Sequence, residues 1–422
     1  MVLSNYNWTL KEMAVLVESL VRRTLGVKDH RVVRVDDGPC GLVVRMERKR
    51  RRKLPCSGCG ARAKVYDRLM ERSWRHVPAW NIPVTLVYRP RRVRCPVCGI
   101  KVEKIPWAEG KSRLTTPLVI VLATWARLLS VDVVAQLFGV SWPTVGAAVR
   151  RAVAYGLEHR GTEGALYIGV DEISRKKGHV YHTQVYDLSR KRLLWSGEGR
   201  GKETLRRFFA EWGEERTKKI RAICCDMWDP YVEVIREKAP GAMLVFDKFH
   251  LVRHLLKAVD EVRKDEAREL KPKEPQLLKG TKYIWLKNPW NLTPKQRARL
   301  GRLERLNLKI NRAYLLKEAF QEVWSFIYPG CARRYLQKWF WWATHSRLKP
   351  MRDFAWLLRR HADDVLNWFK VPISNGSVEA MNNNAKAISH RSRGFRSEKW
   401  FSTIMLHCMG QLPMPEFIHR FA

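Results

Sequence analysis

The chain has few acidic residues for its size: 41 Asp and Glu stand against 80 Lys and Arg among 422 residues. It also has no apolar run long enough to cross a bilayer, no lipidation motif and no signal-peptide pattern at its N-terminus. These absences argue against a membrane-spanning, lipid-anchored or secreted protein. We therefore expect a cytoplasmic protein of a bacterium or archaeon, without a membrane partner.

The formal net charge of +39 indicates a polyanionic partner. A surface that only keeps a protein in solution does not need so large an excess of one sign. DNA or RNA is the commonest polyanion, and an anionic membrane surface is the alternative. Because hydrophobic residues make up 45% of the chain, several domains can form cores of their own. We expect a nucleic-acid-binding protein associated with the nucleoid.

The nine cysteines are an odd number, and four of them form two Cys-x-x-Cys pairs. Each pair is followed at once by a glycine, Gly60 or Gly99, which allows the tight turn of a metal-binding knuckle. Four thiolates would hold a structural Zn²⁺ ion, and alternating apolar residues between the pairs predict a β-ribbon. A disulfide pair or free thiols are the alternatives. The predicted zinc ligands are Cys56, Cys59, Cys95 and Cys98.

Residues 115–157 have the pattern of three consecutive helices, the last two forming a helix-turn-helix. Ala135 is the small residue where the helices cross, Gly139 allows the turn, and Val145 is a β-branched core residue. Ser141 is the expected N-cap of the last helix. An ordinary helical hairpin is the alternative, but the basic composition favours DNA binding. The predicted DNA contacts are Ser141, Trp142, Thr144, Arg150 and Arg151.

Three short apolar runs each end in an aspartate, at Asp171, Asp226 and Asp247. Such runs predict buried strands, and ligands gather at the carboxyl ends of strands in a buried sheet. From residue 166 the chain has three strands, a helix over 202–212 and then alternating strands and helices, the order of a ribonuclease-H-like fold. In that fold the first and fourth strands are neighbours, so Asp171 and Asp226 would meet. Crowded carboxylates repel one another, and Mg²⁺ prefers such oxygen ligands.

Near the C-terminus, the Asn-Gly pair at 375–376 predicts a turn before a helix. Glu379 falls in the first turn of that helix, where an acid usually serves only the electrostatics of the helix. It becomes a candidate ligand because the aspartate site lacks a third carboxylate. Basic side chains further along are candidates for contacts with DNA phosphates. They are Lys386, Arg391 and Arg393.

The segment between the strands and this last helix, residues 251–370, is basic, mostly helical and rich in tryptophan. We expect most of these rings to lie in the core of a helical domain, and a few to stack on unpaired bases. The chain is thus predicted to be a multidomain α/β protein. Its expected parts are an N-terminal helix and strand segment (1–50), a zinc ribbon (51–110), a helix-turn-helix domain (111–160), a ribonuclease-H-like α/β core (161–255 and 371–422) and a helical insertion in that core (256–370).

The motifs and their order resemble those of insertion-sequence transposases of the ISL-three family, a branch of the DDE transposases. The resemblance extends over most of the chain and includes the two cysteine pairs and the helix-turn-helix. Four short motifs carry the rest of it. They are Gly-Val-Asp-Glu (169–172), Cys-Asp-Met-x-x-x-Tyr (225–231), Phe-Asp-Lys-Phe-His (246–250) and Ser-Asn-Gly-x-x-Glu-x-x-Asn (374–382).

The resemblance implies that Asp171, Asp226 and Glu379 form a catalytic triad that binds Mg²⁺ or Mn²⁺. His250 belongs to an Asp-x-x-His motif shared by related transposases, and it is a further catalytic candidate. A structural histidine at a turn between strand and helix is the alternative. The implied core is a ribonuclease-H-like fold with a helical insertion before the final glutamate.

The implied activity is cleavage of double-stranded DNA at terminal inverted repeats and transfer of the freed 3′ ends into target DNA. Two ends must be held together for this, so we expect a homodimer or larger assembly on DNA. Two other functions remain open: a sequence-specific DNA-binding protein without catalysis, and a structure-specific nuclease. The three carboxylates argue against the first, and the zinc ribbon with the helix-turn-helix argues against the second.

Overall fold

The computed structural model of the chain describes residues 27–49, 51, 53–162, 164–176, 180–373 and 376–415, together with Ser19 and Leu25. The chain divides into two compact units, residues 1–160 with 412–422 and residues 161–411. Most of the helix predicted near the N-terminus lies outside the described residues.

The first unit contains two four-stranded sheets. Their side chains alternate between buried and exposed positions, as expected for sheets with one face on a core. The strands are β1 (His30–Gly38), β2 (Gly41–Arg48), β3 (Lys53–Pro55), β4 (Arg62–Arg68), β5 (Arg72–Ala79), β6 (Ile82–Tyr88), β7 (Arg91–Cys95) and β8 (Gly99–Val102).

The strands of the two sheets interleave along the chain. One sheet has the order β1-β2-β6-β5 and the other β3-β4-β7-β8. The hairpin β5–β6 therefore leaves the zinc ribbon and joins β2, where its apolar face meets a core containing Trp74 and Trp107. The β-ribbon predicted between the cysteine pairs is thus only partly right. Alternation reports that one face of a strand is buried but does not say which sheet the strand joins.

Three helices follow the sheets in the described part of the first unit. Thr115 and Ser130 cap the first two, because each side-chain oxygen accepts a hydrogen bond from a backbone N–H in the first turn. Ser141 is the N-cap of the third helix, as predicted, but its Oγ contacts Thr144 Oγ1 at 2.8 Å instead of a backbone amide. The helices are α1 (Thr116–Leu128), α2 (Val131–Leu137) and α3 (Trp142–His159).

The turn between α2 and α3 has the predicted helix-turn-helix features. Gly139 has a φ of +56°, a left-handed conformation that glycine adopts at low cost. Ala135 and Val145 are buried where the helices pack together. Arg75 in β5 donates hydrogen bonds to the carbonyl oxygens of Gly139 and, at 2.9 Å, of Phe138. The turn is therefore attached to the sheet of the same unit.

The second unit is built on a five-stranded mixed sheet. The segments 168–170 and 223–225 are almost entirely buried, as expected for strands covered on both faces. The strands are β9 (Tyr167–Lys176), β10 (Val180–Asp187), β11 (Arg192–Glu198), β12 (Ala222–Cys225) and β13 (Met243–Phe246).

The spatial order of these strands is β11-β10-β9-β12-β13. The first three in sequence form antiparallel pairs, whereas β12 runs parallel to both β9 and β13. The first and fourth strands are therefore neighbours, and the predicted ribonuclease-H-like order is confirmed. The strand β9 is longer than predicted, because it continues past Val170 in antiparallel pairing with β10.

Twelve helices of the second unit are described. Helices between the strands cover the sheet, the central ones form the predicted helical insertion, and the last two contact β9 and β11. None of the described helices is both long and apolar enough to cross a membrane. The helices are α4 (Lys202–Trp212), α5 (Glu214–Thr217), α6 (Asp229–Lys238), α7 (Lys248–Leu270), α8 (Lys282–Leu286), α9 (Pro294–Glu304), α10 (Lys309–Gln321), α11 (Pro329–His345), α12 (Lys349–Arg360), α13 (Ala362–Leu366), α14 (Gly376–Arg391) and α15 (Glu398–Met409).

Candidate metal centres and active site

The four predicted zinc ligands meet at one end of the ribbon sheet. The Sγ atoms of Cys56, Cys59, Cys95 and Cys98 all lie within 4.8 Å of one another. The two knuckle glycines have φ values of +76° and +71°, so both turns adopt the left-handed conformation that glycine favours. Four sulfurs at this spacing suit one tetrahedral Zn²⁺ ion.

The electrostatics of the cysteine cluster also fit a cation. Hydrogen bonds from the backbone of Cys98 and Val97 lower the pKa of Cys95 to about 7. In contrast, the hydrogen bond with Cys59, burial and the neighbouring sulfurs raise the pKa of Cys98 to about 12. The four thiols therefore cannot all ionise side by side unless a positive charge lies between them, and Zn²⁺ supplies that charge.

The first two candidate carboxylates lie on neighbouring parallel strands. Asp171 is in β9, and Asp226 directly follows β12. Because Gly169 pairs with Cys224 in the parallel register, the two aspartates follow at equivalent positions on the two chains. Asp171 is therefore placed within a strand and Asp226 at a strand end, and the sheet brings them to the same edge.

Asp171 is held by the last part of the chain. Asn382 in α14 donates a hydrogen bond from Nδ2 to Asp171 Oδ2 at 2.7 Å. The buried hydroxyl of Tyr186 donates to Asn382 Oδ1, also at 2.7 Å, and so fixes the orientation of the amide. Burial raises the pKa of Asp171, and the charges of Asp226 and Asp247 raise it further against the opposing effects of a backbone hydrogen bond and of His250. A nearby cation would relieve this cost.

Asp226 faces two histidines of α7. Its Oδ1 lies 3.7 Å from His250 Nδ1 and 3.8 Å from His254 Nε2. His250 Nδ1 is also 3.9 Å from the buried carboxylate of Asp247. Burial acts to raise the pKa of Asp226, but its electrostatic interactions with His254 and His250 outweigh that effect, so the pKa is lowered. Asp226 is therefore suited to remain ionised.

Glu379 is placed differently from the two aspartates. It lies in the first turn of α14, three residues before Asn382, and its side chain is exposed. The helix is thus anchored to Asp171, but the three carboxylates do not gather as tightly as the cysteines do. Among the described residues, the four cysteines are the only group of three or more ligand side chains with all ligand atoms within 4.8 Å.

The predicted DNA contacts of the first unit lie on α3. Trp142 is 42% exposed, Arg150 is exposed and Thr144 is half-buried. Arg151 forms a salt bridge with Glu109, so its charge is partly neutralised within the protein.

The three predicted DNA contacts near the C-terminus lie in α14 or directly after it. Lys386 is exposed, Arg393 has a φ of +52°, and Arg391 contacts Cys408 Sγ at 3.5 Å. Lys386 and the likewise exposed Arg393 are therefore better placed for a phosphate contact than the half-buried Arg391.

Two residues near the carboxylates were not assigned a role from the sequence. His254 lies one helical turn after His250, and this spacing of four residues on a predicted helix would have placed both rings on one face. Tyr186 carries no such signal, because an aromatic residue at the end of a buried strand usually belongs to the core. Only its distance to Asn382 reveals the connection.

Family models match three parts of the chain. A model described as a transposase matches residues 168–405. A zinc-finger model of transposases IS204/IS1001/IS1096/IS1165 matches residues 52–98, and a helix-turn-helix model of transposase family ISL3 matches residues 103–153. The first match covers most of the second unit, the second contains the four cysteines, and the third contains most of the α1–α3 segment.

Two curated proteins are similar to the chain over most of their length. The transposase for insertion sequence element IS1557 of Mycobacterium tuberculosis is 31% identical over 428 residues, which cover 93% of this chain and 96% of that protein. The transposase for insertion sequence element IS1001 of Bordetella parapertussis is 29% identical over 350 residues, or 82% and 86% of the two chains.

Proposed function

Because the chain belongs to the ISL3 family of transposases, we propose that it cuts DNA at the terminal inverted repeats of its element and joins the freed 3′ ends to target DNA. Asp171, Asp226 and Glu379 are the proposed metal-binding residues. The helix-turn-helix and the zinc ribbon of the first unit are proposed to hold the element end during the reaction.

One observation carries the proposal: two aspartates on adjacent parallel strands lie beside a helix that brings a glutamate from the far end of the chain. The hydrogen bond between Asn382 and Asp171 attaches that helix to the strand. An unused carboxylate would not need to be buried against two like charges, since burial makes the ionised form of Asp171 costly. The arrangement supports a role that requires negative charge at this edge.

The donor atoms fit a hard divalent cation, because they are carboxylate oxygens with imidazole groups next to them. When bound, Mg²⁺ or Mn²⁺ supplies charge stabilisation at the attacking and leaving oxygens of an in-line displacement at phosphorus. Asp171 would bind through Oδ1, which Asn382 does not use and which accepts one hydrogen bond from the backbone N–H of Glu172 at 2.8 Å. Asp226 would bind through a carboxylate that its histidines keep ionised.

His250 has a positioning role in this proposal. Its Nδ1 lies between Asp226 and Asp247, at 3.7 and 3.9 Å from their oxygens. At these distances Nδ1 makes no hydrogen bond, so the ring acts on both carboxylates electrostatically. Direct contact of the His250 ring with the scissile phosphate is the alternative role.

The decisive experiment is a cleavage assay with a duplex that carries the inverted repeat of the element. Wild-type protein is expected to nick at the repeat boundary in Mg²⁺ or Mn²⁺, and Asp226→Asn to bind the duplex but to cut at least about a hundredfold more slowly. Glu233→Gln, which changes an exposed carboxylate of α6, is the matched control and should cut normally. If wild type and variant bind alike and neither cuts, a DNA-binding protein without catalysis replaces the proposal.

The complexes formed in the cleavage assay can also be used to test the expected assembly on DNA. Two element ends must react together, so the active complex is expected to contain at least two copies of the chain on paired ends. The mass of the cleavage-competent complex, measured by light scattering, distinguishes this from a single copy. A single protein chain that cuts paired ends would contradict the expected dimer.

A further inference from the structure

Arg200 lies at the same edge of the sheet as the candidate carboxylates. Since β11 runs parallel to β9 and β12, its carboxyl end lies beside theirs, and Arg200 follows that end directly. The loop is fixed on both sides. Gly199 N donates to the carbonyl oxygen of Tyr181 at 2.9 Å, and Thr183 Oγ1 donates to the carbonyl oxygen of Gly199 at 2.8 Å.

The side chain of Arg200 is packed against two aromatic rings. Its guanidinium carbon lies 4.5 Å from the ring centroid of Tyr181 and 5.8 Å from that of Trp228. Trp228 is two residues after Asp226, and its backbone N–H donates to the carbonyl oxygen of Asp226 at 2.8 Å. The arginine is thus connected to the turn that carries a candidate ligand.

The guanidinium of Arg200 makes no hydrogen bond and no salt bridge with any residue that the structure describes, and Arg200 is exposed. Glu172 is close enough for the charge of Arg200 to lower its pKa, although burial raises that pKa by more. The hydroxyl of Tyr231 also lies close enough to the carboxylate of Glu172 to lower its pKa. Contact with ring faces uses the flat side of a guanidinium and leaves its N–H edge available for an anion.

We propose that Arg200, held against Tyr181 and Trp228, binds a backbone phosphate of the substrate DNA adjacent to the phosphate that is cut. The assignment rests on the proposed function, because it places the DNA across the edge that carries Asp226. An ordered guanidinium with free donors is suited to a phosphate oxygen pair, and little side-chain freedom is lost on binding. A merely structural arginine would cover the two rings without affecting DNA.

The test uses duplexes in which single phosphates on either side of the cut are replaced, one at a time, by uncharged methylphosphonates. On the unmodified duplex, Arg200→Gln is expected to cut about tenfold more slowly than wild type. At one flanking position, the methylphosphonate should slow the wild type by a similar factor and leave Arg200→Gln unaffected. Arg200→Lys should recover part of the rate, since it keeps the charge but loses the planar contact.

Arg216→Gln is the matched control. Arg216 also lies over a tryptophan, with its guanidinium carbon 4.8 Å from the ring centroid of Trp212. It follows the far end of α4, where the chain returns towards the amino end of β12. The control loses the same charge and the same type of ring contact at the opposite edge, together with a hydrogen bond from the guanidinium to the carbonyl oxygen of Glu211 at 3.3 Å. It should cut all duplexes as the wild type does.

Two results would overturn the assignment: the same methylphosphonate profile for Arg200→Gln and wild type, or a loss of thermal stability with unchanged cutting. If the wild type cuts no duplex in either metal, the proposed function fails, and binding still decides the role of Arg200. Loss of one phosphate contact lowers the slope of log K against log salt by about 0.9. If the salt dependence of Arg200→Gln is weaker than that of the wild type, the phosphate site is supported. If Arg200→Gln has the same salt dependence as the wild type and Arg216→Gln, the site is contradicted.

Discussion

The cysteine cluster of the first unit and the proposed carboxylate site of the second are built in different ways. The four sulfurs come from two short knuckles and already lie within 4.8 Å of one another. The carboxylates come from two neighbouring strands and from a helix near the end of the chain. Glu379, on that helix, is exposed, so the three carboxylates do not form a closed set. A closed set of ligands supports structure, whereas an open set leaves room for a substrate.

The largest effect is expected from breaking the closed site. Cys95→Ser removes a ligand at the end of β7, and the ribbon sheet has little other core, so the variant should lose roughly 4 kcal/mol or more of unfolding free energy. Zinc content and limited proteolysis of the first unit measure this. Cys40→Ser, at an exposed cysteine outside the cluster, is the control. Equal zinc content in Cys95→Ser and wild type would contradict the four-cysteine site.

The open site should instead lose activity while the fold remains. Asn382→Leu removes the hydrogen bond to Asp171, and we expect cleavage to fall about a hundredfold with little change in melting temperature. Tyr186→Phe leaves the Asn382 amide in place but removes the hydrogen bond that fixes its orientation. We expect the cleavage rate to fall about tenfold. Both variants should also need more Mn²⁺ for half-maximal thermal stabilisation, which a purely structural role would not change.

Asn383→Leu is the control for this pair, because Asn383 is the next residue of α14 and its side chain is exposed. It should cut at the wild-type rate. If Asn382→Leu also cuts normally, the connection between α14 and β9 is not needed for activity, and the open site does not depend on the last helix.

Mild acid should destabilise the sheet that carries the proposed carboxylate site. His182 in β10 is buried against Phe401, and neither ring nitrogen has a hydrogen-bond partner among the described residues. Burial, together with the charges of Arg175 and Arg207, lowers its pKa to about 4. As the pH falls through about 6.5, His182 takes up a proton in the unfolded chain but stays neutral in the folded protein. The free energy of unfolding is therefore lower at pH 5 than at pH 7.5.

The expected loss at pH 5 is about 1–2 kcal/mol of unfolding free energy, measured from urea midpoints of the second unit. His182→Leu should reduce the difference between pH 7.5 and pH 5 by this amount. His345→Leu, at an exposed histidine of α11, should leave it unchanged. An undiminished pH dependence in His182→Leu would show that other groups cause it.

The smallest effect is expected at the support of the DNA-binding turn. Arg75→Gln removes the hydrogen bonds to the carbonyl oxygens of Phe138 and Gly139, each worth about 1 kcal/mol at a partly exposed site. Affinity for the element end should fall about fivefold, because the start of α3 is held less firmly. Arg62→Gln removes the same charge from an exposed position of β4. A similar fall in both variants would point to charge alone.

Patterns that depend on nearby residues predicted their structures well. The helix-turn-helix follows from Ala135, Gly139 and Val145, and the predicted range of α4 agrees with the structure at both ends. The strand order of the second unit also follows from the alternation of elements along the chain. Connections between distant residues could not be predicted in this way, and the shared sheet of β2 and β6 is one example.

The sequence by itself determined the two cysteine knuckles, the three-helix segment and the five strands of the core, because periodicity and short spacings are local properties of a chain. Only the tertiary structure decided which sheet the β5–β6 hairpin joins, that His254 faces Asp226, and that Tyr186 orients Asn382 against Asp171. These contacts join segments far apart in sequence. They arise from the packing of whole elements, and no local pattern of residues specifies which buried face will meet which.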